Sequence, residues 1–221
     1  MKVTRMRYFT RLMFFGTCLL LFVSCGKDGS VDTTNITPGG STGNGNGNAS
    51  GAEAGNWKFI SFQETTSQIV EVNTGSDAIK TITTREYTSE NNTGNIRFDG
   101  NAMFFTSVAF TANGTMQVSY YTNGVFNVTQ QVPFTGALPA TTSAAYYKKI
   151  GADSLYFAIG VVTGIGLNGS VETKPAGYKL KSDGNKLYLT LAINETTTQT
   201  DAGITQKVTT NTTNVTTLQK Q

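Results

Sequence analysis

An all-β fold, an antiparallel up-and-down meander closed into a β-barrel, is predicted for the C-terminal three quarters of this chain. Three observations predict it. From Asn56 onward Thr, Val, Ile, Tyr and Phe are abundant and prolines few, the usage of pleated, half-buried surfaces. Apolar residues alternate with polar ones at period two: Met116, Val118 and Tyr120; Phe126, Val128, Val132 and Phe134; Leu155, Phe157 and Ile159; Leu187, Leu189, Leu191 and Ile193. Between such runs stand Asp99-Gly100, Asn113-Gly114, Asn123-Gly124 and Asp183-Gly184, dipeptides that tolerate positive φ and favour tight hairpin turns. Strands joined in sequence order by tight turns make a meander, and closure removes a long meander's exposed edges.

The elements before the barrel read differently. Lys2, Arg5, Arg7 and Arg11 open the chain, and the apolar run from Leu12 to Val23 follows. These are the n- and h-regions of an export signal, and a run of about a dozen residues is short of the roughly 20 that span a bilayer. The run ends in Leu21-Phe22-Val23-Ser24-Cys25, with small Ser24 before the cysteine and small Gly26 after it. This stretch resembles the lipobox of bacterial lipoproteins, with Phe22 standing where that family prefers Leu. An ordinary signal peptide with an incidental cysteine is the alternative. The resemblance implies cleavage after residue 24, lipid on Cys25, two or more acyl chains, stable membrane attachment and a cell-envelope address, the outer membrane first. Cys18 follows the bulkier Thr17 and fits less well.

Residues 25–54 are dominated by Gly, Asn, Ser and Thr, with Val31 and Ile36 as the only large aliphatics. Such a segment buries too little apolar surface to offset its ordering entropy, so a flexible tether with a reach of about 30 Å is expected. Asp32-Thr33-Thr34 and Asp153-Ser154-Leu155 resemble the short O-glycan attachment site of some Gram-negative bacteria, which makes Thr33 and Ser154 candidate positions.

In the remaining domain, residues 55–221, strands are expected at 57–66, 68–74, 78–88, 95–99, 102–111, 115–122, 125–134, 154–163, 177–182, 186–195 and 204–218. Between them, Pro139 to Ile150 has proline at a helix start, Gly151 past its end and Lys148 and Lys149 in its last turn, so a short helix is expected there. At the domain entrance Gly55-Asn56-Trp57 precedes alternating Lys58-Phe59-Ile60. Together with the strand-turn-strand pieces and the last strand ending at Lys220, this resembles the Gly-x-Trp opening of the lipocalins and lipocalin-like lipoproteins. The resemblance implies a barrel whose tryptophan closes one end. The family's arginine against that tryptophan has no counterpart, since the last arginine is Arg97; Lys207 or Lys220 is the available substitute. Another β fold with Trp57 as an ordinary core residue is the alternative.

Composition narrows the function classes. The formal charge is +3, but residues 1–24 hold four basic and no acidic residues, so a chain cut before Cys25 carries 13 basic against 14 acidic residues. No basic footprint for nucleic acid survives. The two cysteines fall in the signal and on the lipid, which leaves no disulfide, no thiolate nucleophile and no cysteine metal ligand. Histidine is absent, which removes the commonest general base and the His-based zinc sites. Glu64, Glu71, Glu86, Glu172 and Glu195 could serve a paired-carboxylate hydrolase, but isolated carboxylates in alternating strands are usually solvated, and no catalytic residue, cofactor or metal is expected. Gly164 to Gly169 matches GxGxxG after a strand, but Pro175 and the lack of a βαβ rhythm point to a loop at the barrel mouth. The Asn-x-Ser/Thr triplets follow from an Asn- and Thr-rich composition.

Binding remains. One expectation is a lipid-anchored module holding a small apolar or amphipathic ligand among Trp57, Phe59, Met116, Val118, Tyr120, Phe126, Val128, Leu189 and Leu191. The other is a surface interaction or structural lipoprotein with a solid core, meeting an envelope protein or glycan through exposed aromatics. Phe104-Phe105, Tyr120-Tyr121 and Tyr146-Tyr147 each put one ring on either face of a strand.

Overall fold

A computed structural model of the chain describes residues 51–221. Nine strands follow in order: β1 (Gly55–Asn73), β2 (Ala78–Thr88), β3 (Glu90–Phe98), β4 (Ala102–Thr122), β5 (Val125–Lys149), β6 (Ser154–Ile165), β7 (Val171–Asp183), β8 (Lys186–Asp201) and β9 (Ile204–Lys220). All pairings are antiparallel, and consecutive strands from β3 to β9 are neighbours. β9 then pairs with β1 from Trp57↔Lys220 to Asn73↔Thr205, so the meander returns to its first strand and forms a ring of hydrogen-bonded strands. β2 and β3 form the two halves of one path beside β1: β2 pairs with residues 63–73 and β3 with residues 55–58. The join is Ser89, whose N–H donates to Phe62 O at 2.8 Å while its hydroxyl accepts from Phe62 N at 2.7 Å.

Alternation delivers the core. Trp57, Phe59 and Phe62 of β1, Phe98 of β3, Phe110 of β4, Phe157 of β6, Leu187, Leu189 and Leu191 of β8 and Leu218 of β9 all point inward and are buried. A bulge between Phe59 and Ser61 keeps both Phe59 and Phe62 inside although they are three residues apart.

Three expectations change. Residues 139–150 are strand, not helix: β5 runs through them, with Ala145 and Tyr147 buried and Tyr146 and Lys148 exposed. The segment pairs with β4 from Ala102↔Tyr146 to Val108↔Thr141, and this long-range ladder outweighs a local helix signal from a proline and two lysines. Asn113-Gly114 is not a turn. It lies inside β4 opposite Thr135 and Phe134, beside the Tyr87 and Phe134 rings, centred 5.5 Å apart. β1 is likewise continuous through Ser67, so the eleven expected strands condense to nine. Phe126 does not share a face with Val128: an irregularity sets Val128 opposite Tyr120 but Phe126 opposite Tyr121, whose ring it meets at 5.6 Å. Asp99-Gly100, Asn123-Gly124 and Asp183-Gly184 stand in hairpin turns, with φ of 98° at Gly100, 50° at Asn123, 78° at Gly124 and 59° at Gly184.

The strands are unequal in length, and that inequality gives the ring two different ends. β1 alone, with 19 residues, spans about 60 Å. Beyond Glu64 the sheet continues as β8-β9-β1-β2-β4-β5 up to the turns at 73–78, 122–125 and 201–204. The first two turns are tied together: Asn123 Oδ1 accepts from Ala78 N at 2.8 Å and Asn123 Nδ2 donates to Asp77 Oδ1 at 3.0 Å.

Candidate functional site

The opposite end is closed by Trp57, 1% exposed, whose indole N–H donates to Glu53 O at 2.7 Å. Lys220 is Trp57's register partner on β9, and its ammonium stands 5.8 Å from the ring centroid. Of the two lysines expected as substitutes for an arginine, Lys220 covers the tryptophan, and Lys207 pairs with Glu71 at 3.7 Å far along the sheet. The last residues of the expected tether, 51–54, pack onto this end, with the buried Glu53 carboxylate bonded to Lys149 Nζ at 2.6 Å.

Above that base, β5 and β6 part company. They share only three paired positions, Tyr147↔Phe157 to Lys149↔Leu155, before the register with neighbouring strands slips at Phe157/Val161 and at Phe105/Val108. Behind this seam lies an apolar cavity of about 90 Å³. Phe59, Phe62, Phe110, Met103, Leu138 and Leu189 form its floor and walls, and Phe105, Thr141, Ser143, Val161 and Val162 frame the seam. Phe62 and Phe110 stack at 5.4 Å, and Phe59 meets Phe110 at 5.9 Å, so the inner wall is aromatic. Tyr178 donates its hydroxyl to Val162 O at 2.9 Å and holds the displaced part of β6; burial raises its phenol well above the usual range.

Further along the ring, past the contact of Phe62 with Tyr87, stands a polar cluster. The carboxylate of Glu64 is ion-paired with Arg85 and accepts hydrogen bonds from Thr66 Oγ1 at 2.9 Å, Tyr87 Oη at 3.0 Å and Ile165 N at 3.2 Å. Arg85 donates to Ile165 O and, at 3.1 Å, to Gly166 O, and its guanidinium lies 4.5 Å from the Phe134 ring centroid. Glu64 and Arg85 are both buried, and burial, reinforced by the adjacent Glu64 charge, pushes the Tyr87 phenol far up. On the other flank Asn214 Nδ2 donates to Thr163 O at 2.6 Å. These bonds clamp the end of β6 and the turn 166–170 across the ring opening. Two glycines allow the close approach: a Cβ at Gly164 would lie 2.5 Å from Glu64 Oε2, and one at Gly136 would lie 2.5 Å from Ile165 Cγ2. The Gly164–Gly169 stretch is thus a stopper held by an internal carboxylate and guanidinium.

Of the residues expected to bind a ligand, Phe59 and Leu189 come together on the cavity wall. Trp57 and Leu191 are buried in the core beside it, and Met116 and Val118 are buried further along the sheet. Tyr120 is half-buried on the extended sheet, and Phe126 and Val128 are exposed on β5 at 54% and 43%. Sequence reasoning missed Phe62, Phe110 and Leu138, the last because its segment was read as leading into a helix. It also missed Glu64 with Arg85, although a signal exists: each follows the inward phase of its strand, Glu64 two residues after Phe62 and Arg85 two before Tyr87. The other carboxylates are apart, Glu71 and Glu195 in exposed ion pairs with Lys207 and Lys174. Among the described residues no group of three or more acidic, cysteine or histidine side chains could hold a metal ion. Ser154 stands at the start of β6, its hydroxyl donating to Asp153 Oδ1 at 3.1 Å. Cys25 and Thr33 lie outside the described residues.

No protein-family model, curated protein or solved structure matches this chain.

Proposed function

We propose that the chain is a lipid-anchored cell-envelope lipoprotein whose lipocalin-like barrel holds the slim apolar part of a small amphipathic molecule. Anchoring rests on Cys25 at the end of its signal-like run. The observation that carries the binding reading is the aromatic cavity behind the β5–β6 seam, apolar on all sides except for Thr141, Ser143 and Thr216. Its volume limits the occupant: about 90 Å³ is well below the roughly 300–1,000 Å³ of pockets that enclose a drug-sized ligand. One acyl-chain end or one small ring fits, with any polar head remaining outside beside Thr141 and Ser143 at the seam.

The test is native mass spectrometry of the full chain extracted in mild detergent, followed by binding of medium-chain fatty acids read from the methyl NMR signals of Leu189 and Val161. Saturable shifts in those methyls, with the Val161 shift abolished in Leu189→Trp, support the reading. Unmoved signals with every chain length reject it. For the anchor, Cys25→Ala is expected to abolish palmitate labelling and to release the protein from membranes; unchanged labelling would assign the lipid elsewhere.

The second reading, an interaction lipoprotein working through its exposed surface, draws on a different observation. The extended sheet leaves Val125, Phe126, Val128 and Val132 exposed at one edge.

A further inference from the structure

We propose that the free edge of β5, Val125–Pro133, is a self-association edge at which two copies of this chain pair antiparallel about a two-fold axis at Gln130. The proposal specifies a partner for the interaction reading and does not depend on an occupied cavity.

All nine residues from Val125 to Pro133 are exposed, and four of them are Val125, Phe126, Val128 and Val132. β4 covers one side of this stretch; among the described residues no strand pairs with the other side before Tyr147 meets β6. A long, apolar edge strand is a template for another chain unless charge, proline or a covering segment blunts it. Charge is missing: no charged residue occurs from Thr122 to Tyr147.

The prolines show which way the backbone faces. Pro133 and Pro139 fit in β5 without removing a ladder bond if their positions turn toward the free side. Thr135, in the same phase, confirms that direction: its carbonyl faces Gly169, where an added Cβ would come within 2.5 Å of it. The turn 166–170 thus covers the edge at Thr135 and stops there. Thr129 and Gln131, again in that phase, present their N–H and C=O groups outward.

Two copies related by a two-fold axis can exchange those groups in one register: Thr129 with Gln131 of the second copy, and Gln131 with Thr129. The same register sets Val128 against Val132 of the second copy and Gln130 against its own mate, apolar on apolar and amide on amide. Isologous pairing closes after two copies. The alternative mate, the β8 edge near Thr198, carries Glu195 and Asp201, and pairing β5 with it would bury charge against an uncharged strand and propagate without closing.

The experiment uses the full chain in mild detergent, with sedimentation over a range of concentrations and mild oxidation of Gln130→Cys. Wild type gives the background, and Thr198→Cys is the control on the opposite edge. The expected results are a monomer–dimer equilibrium and a disulfide-linked dimer from Gln130→Cys but not from Thr198→Cys. In Val128→Lys, folded by circular dichroism, an ammonium replaces the apolar partner of Val132 at both symmetric pairs and weakens the association by roughly tenfold or more. A monomer at every concentration, equal cross-linking at both edges, an open-ended polymer, or a dimer indifferent to Val128→Lys overturns the proposal.

Discussion

Glu64 occupies a position at which alternation along β1 calls for an apolar side chain, and its carboxylate is stabilised there by the Arg85 guanidinium and three hydrogen bonds. Removing one member of a buried pair leaves the other charge uncompensated, which costs about 3–5 kcal/mol. Arg85→Ala is therefore expected to lower the denaturation midpoint sharply, measured by urea unfolding. The double variant Glu64→Gln with Arg85→Met, which strands no charge, is expected to recover a large part of that loss. A single variant as stable as wild type would show that the stopper is not held by this pair. The pair was only half legible in the sequence: the inward phase of each residue could be read, but not that Thr66, Tyr87 and Ile165 would converge on the same carboxylate. Such convergence depends on strand register, which single-strand patterns do not contain.

At the scale of elements, hairpin turns were the most legible feature, because positive φ restricts the residues that can stand there. The turn between β8 and β9 is the exception that tests the rule. Ala202 adopts φ 47° ahead of Gly203 at φ 80°, a left-handed conformation that costs a residue with a Cβ about 1 kcal/mol. Ala202→Asn is expected to raise the melting temperature by about 2–4 °C without altering the fold, measured by thermal circular dichroism. No gain would place the strain elsewhere in the hairpin. The opposite lesson comes from β5. Pro139, Lys148, Lys149 and Gly151 carry local helix-terminus signals, and they were outweighed because β5 pairs with β4 through this segment and buries Ala145 and Tyr147 in the core. Helix-like punctuation without 3.6-residue periodicity is weak evidence against a strand.

For the molecule as a whole, three tyrosines report on closure. Burial pushes the Tyr147 phenol up to about 12, with the nearby Glu53 charge adding to the effect, and it raises Tyr178 and Tyr87 further. Each folded-state value lies above the unfolded value of about 10, so the contribution to stability is fully present below pH ~10 and is lost as pH rises toward and through about 12. These three hydroxyls are thus expected to ionise together with loss of β-sheet signal. Alkaline titration followed by tyrosinate absorbance and circular dichroism checks this. Ionisation of all tyrosines near pH 10 with the sheet intact would mean that the base and stopper admit water freely.

The sequence by itself determined the all-β class, the alternating core and three of the hairpin turns, because each depends on local periodicity or on one residue's backbone preference. Only the tertiary structure decided the register in which β9 returns to β1, that β5 separates from β6 to leave an aromatic cavity, and that Glu64 and Arg85 lock the Gly164–Gly169 turn across the ring. Those features arise from register between strands distant in the chain, where a single bulge changes which side chains meet.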